Sequence, residues 1–402
     1  MIDVLRSYVV GPLEPFAEGF AAELARQGYT VDAMRQQLGL VAHLSRWMAA
    51  RGLDVAELAP QVVERYVDAR RAAGYRQFRS VKALAPLLGY LRGLAVLTDA
   101  APQSANTASV VLLQRFRAYL LDERALGAAS ARGYVDLVAA FVEECVRDRG
   151  DLRGLTAAEV TSFLVGESRR LSPKTLQRSA TALRALLRFW HVQGLTATSL
   201  VEAVPKVACR SAGLPRGLLP GQVEAMLGSC DRRRPAGLRD YAMLTLLARV
   251  GLRRGEVAGL RLDDIDWRSG ELAVAGKGRR FDRLPLPGDV GQAIVDYLQR
   301  GRPPDALDRR LFIRIRAPHR GIGAGGVTQA VAAAAERAGL GTVYAHRLRH
   351  TAATSMLAAG ASLTEIGLVL RHRGPLTTSI YAKVDTTALV ALARPWPSGG
   401  VS

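Results

Sequence analysis

The sequence predicts a mainly α-helical chain with one small antiparallel β-sheet, laid out as two helical units followed by an α+β unit. Three observations predict it. Before residue 205 apolar residues recur at three- and four-residue spacing, as in Phe16, Phe20 and Leu24 and again in Leu137, Phe141 and Cys145, and almost nothing alternates. Two stretches of that region share one layout, with glycine punctuation at corresponding places: Gly28 with Gly127, and Gly93 with Gly194. After Pro220 the texture changes, and short strand-like runs between about 263 and 288 interrupt the helical pattern.

In the first unit the spacing predicts helices near 13–27, 31–51, 59–74 and 78–96; in the second, near 109–126, 129–148, 156–170 and 173–193. The stretch from Thr98 to Thr107, with Pro102 and small polar residues, has linker composition. A second linker runs from Pro205 to Pro220 through Arg210, Gly213, Pro215 and Gly217. The expected domains are therefore 1–105, 106–207 and 208–402, the last ending in a C-terminal tail. Within the third, helices near 220–230 and 237–250 precede three strands, Asp264 to Trp267, Glu271 to Ala275 and Arg283 to Leu286. Arg268-Ser269-Gly270 makes the first turn, and Lys277 stands at the tip of the second hairpin, in Gly276-Lys277-Gly278-Arg279-Arg280.

Lys and Arg number 55 against 36 Asp and Glu, a formal net charge of +19 over 402 residues, which points first to a polyanion and so to nucleic acid. An arginine-rich bias also follows from a GC-rich coding genome, so charge alone does not decide. Arg, Glu or Gln breaks every apolar run well short of the roughly 20 residues a membrane helix needs, and no membrane partner is expected. The first residues lack the pattern of a secretory signal, so the expected location is cytoplasmic. Cys145, Cys209 and Cys230 are few, odd in number and without metal-ligand spacing, which suits small buried residues in a reducing compartment.

Three clusters carry chemistry. In Gly251-Leu252-Arg253-Arg254-Gly255-Glu256, Gly251 ends one helix and Arg253 opens the next, where an arginine can hold an anion; Glu256 lies one turn on. In His346-Arg347-Leu348-Arg349-His350-Thr351, followed by the apolar run Ala352 to Ala359, the i, i+3 spacing lets His346 and Arg349 converge on one phosphate. His350 either joins that face or packs against a neighbour. In Leu370-Arg371-His372-Arg373-Gly374-Pro375-Leu376-Thr377-Thr378-Ser379-Ile380-Tyr381, a histidine precedes a tyrosine by nine residues, and a Gly-Pro turn between them permits both to face one site. Asp263, Asp264 and Asp266 form an acidic run, read as solvated carboxylates at the start of the sheet rather than as metal ligands.

Taken together and in this order, the clusters resemble the tyrosine recombinase or phage integrase family. That family has an arginine in a G-L-R-x-x-E context, a hairpin lysine, an H-x-L-R-H helix, and a histidine shortly before a tyrosine nucleophile; this chain supplies Arg253, Lys277, His346, Arg349, His372 and Tyr381. The resemblance is strong over about 215–390. The second helical unit resembles the family's core-binding domain in helix count and placement, so the helical units are expected to be SAM-like, duplicated DNA-binding domains ahead of an α+β tyrosine recombinase catalytic domain. One departure is Arg371, where many members carry glycine; no loss of activity is expected from it. The ending Ala391 to Pro397 resembles a subgroup associated with mobile elements.

The resemblance implies cleavage and rejoining of double-stranded DNA through a 3′-phosphotyrosyl link to Tyr381, with no cofactor, metal or ATP. Arg253 and Arg349 would hold the non-bridging oxygens, Lys277 would protonate the leaving oxygen, and His346 and His372 would assist, while Glu256 would position Arg253. It also implies a homo-oligomer, a tetramer on paired sites, with accessory recombinases or DNA-bending proteins as further partners and the segment after Tyr381 docking on a neighbour. The competing readings are a catalytically silent DNA-binding protein on the same scaffold and a type IB topoisomerase-like enzyme.

Overall fold

A computed structural model describes residues 9–97, 108–149, 151–208, 217–276 and 281–371. Its first four helices are α1 (Ala17–Arg26), α2 (Val31–Ala49), α3 (Pro60–Ala72) and α4 (Ala85–Gly93). Gly28, at φ +82°, turns the chain between α1 and α2, and Thr30 caps α2 by accepting the Ala33 amide at 3.3 Å. Their apolar faces, with Phe20, Leu24, Leu44, Met48, Tyr66 and Leu91, close one hydrophobic core.

The next four are α5 (Ala108–Asp122), α6 (Ala128–Arg149), α7 (Ala157–Ser168) and α8 (Pro173–Val192). Ser172 and Pro173 start α8 together: the hydroxyl accepts the Thr175 amide at 3.3 Å, and proline fills the first turn, where its missing N–H has no helical partner to lose. A second core gathers around Phe116, Phe141, Leu186 and Trp190. Seven of the eight helices fall within about four residues of the expected ranges; α4 begins seven residues after the expected start at 78, because a separate 3₁₀ turn at Val81–Leu84 precedes it.

The third region holds α9 (Pro220–Gly228), α10 (Pro235–Thr245), α11 (Arg254–Gly259), α12 (Gly288–Arg300), α13 (Ala324–Arg337), α14 (Ala345–Ala358) and α15 (Leu363–Val369). The expected helix at 237–250 ends differently from its prediction: α10 passes into a π-helical turn at Leu246–Val250. Between α11 and α12 lie β1 (Ile265–Asp266), β2 (Glu271–Ala275) and β3 (Phe281–Pro285), antiparallel in the order β1-β2-β3. The register sets Ile265 opposite Leu272, Leu272 opposite Leu284, and Ala275 opposite Phe281. β3 thus begins two residues before the expected Arg283. Only Leu284 of this strand is buried, so its outward residues gave no alternation to read. The third core joins Leu244, Leu247, Leu272, Ile294, Tyr297, Val331 and Leu348.

The chain packs as two units, Met1–Thr98 with Gly213–Ser402, and Asp99–Ala212. The first and third cores therefore share a unit. Within it the His319 amide donates to the Gln27 carbonyl at 3.0 Å, and a Cβ on Gly28 would lie 2.2 Å from His319 Nδ1. Cys145 and Cys230 are buried, and burial pushes the Cys230 thiol up; Cys209 lies outside the described residues. Among the described residues no helix is long and apolar enough to cross a membrane.

Candidate active site

The site is built where the end of α10, the start of α11, and helices α14 and α15 meet. Gly251, at φ +69°, terminates the π turn, and an added Cβ would stand 2.6 Å from Leu370 Cδ2 and 3.2 Å from Ala352 Cβ. Glycine is required twice over, for backbone conformation and for space. Its carbonyl is in use as well: Arg349, buried on α14, donates from Nη1 to Gly251 O at 2.6 Å and from Nη2 to Leu370 O. One guanidinium thereby holds three segments together.

Arg253 caps α11. Its amide donates to Glu256 Oε2 at 2.7 Å, its Nη1 donates to Glu256 Oε1 at 2.7 Å, and its Nη2 donates to the Arg371 carbonyl at 3.1 Å. The Glu256 side chain is only 10% exposed, so this i, i+3 pair is a fixed bracket for Arg253 rather than a solvated surface contact. Arg253, Arg349 and His346 line one cavity of about 490 Å³, with Arg254, Thr328 and Tyr344 on its wall. Arg254 is turned toward Thr328, donating to its hydroxyl at 3.1 Å. The described lining holds three arginines and no carboxylate; with Arg254 drawn aside to Thr328, Arg253 and Arg349 bring permanent positive charge to a space suited to an anion.

His346 is exposed on the first turn of α14, its ring stacked on Tyr344 at 5.9 Å and edge-on to His350 at 5.9 Å. His350 is half-buried beside it and outside the cavity lining. Burial first, then the charges of His346 and Arg349, push His350 below the usual imidazole range. Lys277, His372 and Tyr381 lie outside the described residues.

Arg371, noted in the sequence as a departure from the family pattern but given no role there, borders this site. It adopts φ +55°, its side chain is 8% exposed, and its Nη2 pairs with Glu256 Oε2. The glycine common at this position in the family was the one signal that could have flagged it. The acidic run is dispersed among local partners: Asp263 pairs with Arg309, Asp264 accepts the Arg261 amide at 2.8 Å, and Asp266 accepts the amides of Arg268 and Ser269.

With this geometry in view, the comparisons with known proteins decide the family. The phage integrase family model matches residues 216–388, a stretch that holds all six residues singled out from the motifs. An integrase/recombinase of Sinorhizobium fredii (strain NBRC 101917 / NGR234), y4rA, is 39% identical over 393 residues, 96% of this chain and 95% of the relative. The tyrosine recombinase XerC of Roseiflexus sp. (strain RS-1) is 31% identical over 299 residues, 71% of this chain and 93% of the relative. The chain belongs to the tyrosine recombinase family. In fold the recombinase is similar to the XerH site-specific recombinase solved in a post-cleavage complex with palindromic difH substrate, at a TM-score of 0.56 and 19% identity over 83% of this chain and 94% of that one.

Proposed function

We propose that this recombinase cuts and rejoins double-stranded DNA at specific sites through a 3′-phosphotyrosyl bond to Tyr381, as the integrase or transposase of a mobile element. The observation that carries the reading is the cavity on which Arg253, Arg349 and His346 converge, its described lining free of carboxylates while Glu256 brackets Arg253 from outside it. A phosphodiester placed there meets two planar donor forks, one for each non-bridging oxygen, and both gain strength as negative charge builds in the transition state. Two guanidiniums supply the charge stabilisation that metal ions give elsewhere, so the reaction runs without a metal.

In cleavage the Tyr381 phenolic oxygen bonds to phosphorus and the bond from phosphorus to the 5′ oxygen breaks. Lys277 gives a proton to that oxygen, and the phenol proton passes to an imidazole, His372 or His346. Glu256 holds Arg253 in place, and His350 supports His346. The covalent link keeps the energy of the broken bond, so the 5′-hydroxyl of a second strand reverses the steps and reseals without ATP. Exchange between two duplexes requires four cuts, which supports a homotetramer on paired sites, helped by accessory recombinases or DNA-bending proteins. The work is done on DNA in the cytoplasm. A DNA-binding or accessory helical domain (1–105), a core-binding domain (106–207) and a catalytic domain (208–402) would divide this labour.

Covalent capture of a nicked duplex, followed by sequencing of the attached DNA, tests the reading and recovers the site. Tyr381→Phe is expected to abolish the adduct, and an undiminished adduct would overturn the nucleophile assignment.

A further inference from the structure

Arg371 combines two unfavourable conditions. Its backbone, at φ +55°, is in the left-handed region that a side chain resists and glycine accepts. Its guanidinium is 8% exposed, and burial, which disfavours the charged form, lowers its pKa from the ordinary arginine value. An arginine retained under both conditions is held by what it touches.

Three contacts define it. Nη2 donates to Glu256 Oε2, the carboxylate that also brackets Arg253. The Arg371 carbonyl accepts from Arg253 Nη2 at 3.1 Å. Nε lies 3.7 Å from Asp282 Oδ2 on β3. Among the described residues Nε and Nη1 have no hydrogen-bond partner, and 3.7 Å exceeds the roughly 2.9 Å of a formed N–H···O bond. At that separation the two opposite charges attract without a formed bond. The result is one line of alternating charge, Arg253, Glu256, Arg371, Asp282, running from the cavity to the strand that follows the connection bearing Lys277.

We propose that Arg371 is a positioning residue that couples the phosphate-holding Arg253 to the β2–β3 hairpin, and so sets where the leaving-group proton is delivered. It touches no substrate; it acts through Glu256 on one side and Asp282 on the other. The inference rests on the proposed cleavage chemistry. There the bond from the Tyr381 oxygen to phosphorus forms, the bond to the 5′ oxygen breaks, and that oxygen takes its proton from Lys277.

The test compares two nicked duplexes carrying the captured site, one with the ordinary 5′ oxygen at the scissile bond and one with sulfur there. A thiol has a pKa of about 8 to 9, so a thiolate departs without a proton and the sulfur substrate bypasses the acid. Arg371→Gly, which the backbone accepts, is expected to slow single-turnover cleavage of the oxygen substrate about 10- to 100-fold, within what a general acid contributes, and the sulfur substrate by less than about 3-fold. Arg371→Lys should restore part of the rate. Asp282→Asn, on a half-exposed side chain, should show the same selectivity in weaker form, and it decides the matter should Arg371→Gly fail to fold. Equal slowing of both substrates, or slowing of neither, overturns the proposal. Absence of an adduct between the wild-type protein and either substrate would instead sink the underlying reading of Tyr381.

Discussion

Gly251 shows how much one residue can hold in this protein. Its left-handed φ of +69° would cost a side-chain-bearing residue about 1 to 2 kcal/mol, and the new Cβ would also displace Leu370, 2.6 Å away. Gly251→Ala is expected to lower the unfolding free energy by about 2 to 3 kcal/mol in urea titration. Cleavage should fall as well, because the carbonyl that seats Arg349 moves with it. His350 gives a second prediction at this scale, in pH. Its folded pKa is depressed, chiefly by burial, so its contribution to stability is complete above the unfolded value of about 6.5 and is lost as pH falls through the folded one. Melting temperatures measured from pH 8 to pH 5 should drop less in His350→Gln than in wild type; parallel curves would show that His350 does not titrate this way. Arg253, Glu256, His346 and Arg349 were legible in the sequence because i, i+3 spacing on one helix is a local property. Arg371 was not, since its meaning depends on a positive φ and on a carboxylate 115 residues away.

Elements are written in the sequence by their periodicity and their ends. Ser362 opens α15 with a capping box: its hydroxyl accepts the Glu365 amide at 3.2 Å, and its amide donates to the Glu365 carboxylate at 2.8 Å. α15 leads directly to Leu370, whose carbonyl Arg349 holds, and to Arg371, so the cap supports the site through the helix axis. Ser362→Ala is expected to cost about 1 kcal/mol. Cleavage rate should fall more than DNA affinity, as judged by single-turnover kinetics beside equilibrium binding; equal losses would mean that the cap serves the fold alone. Where the element reading missed, the cause is also local. A π turn shares its apolar pattern with the α-helix that leads into it, so Leu246–Val250 could not be told from α10. The edge strand β3 buries one residue, and no alternation marks its start.

At the scale of the molecule, periodicity revealed three collections of helices and strands but not how they are grouped, because grouping is decided by contacts such as His319 on Gln27 that have no pattern along the chain. The Asp99–Ala212 unit stands on its own core: Phe116, Phe141, Leu183, Leu186 and Trp190 are each no more than 2% exposed, and α5 through α8 all contribute to it. A unit of this size can bury enough apolar surface to fold without the rest of the chain. Expressed alone, residues 99–212 are expected to give a helical circular dichroism spectrum and one cooperative thermal transition. Residues 1–98 share a unit with the catalytic region, so deleting them should lower the melting temperature of what remains by baring the surface around His319. The two experiments constrain each other. If the 99–212 fragment melts without cooperativity while the chain lacking residues 1–98 is unchanged, the grouping is wrong; the expected pair of results would show the first four helices to be a structural partner of the catalytic region.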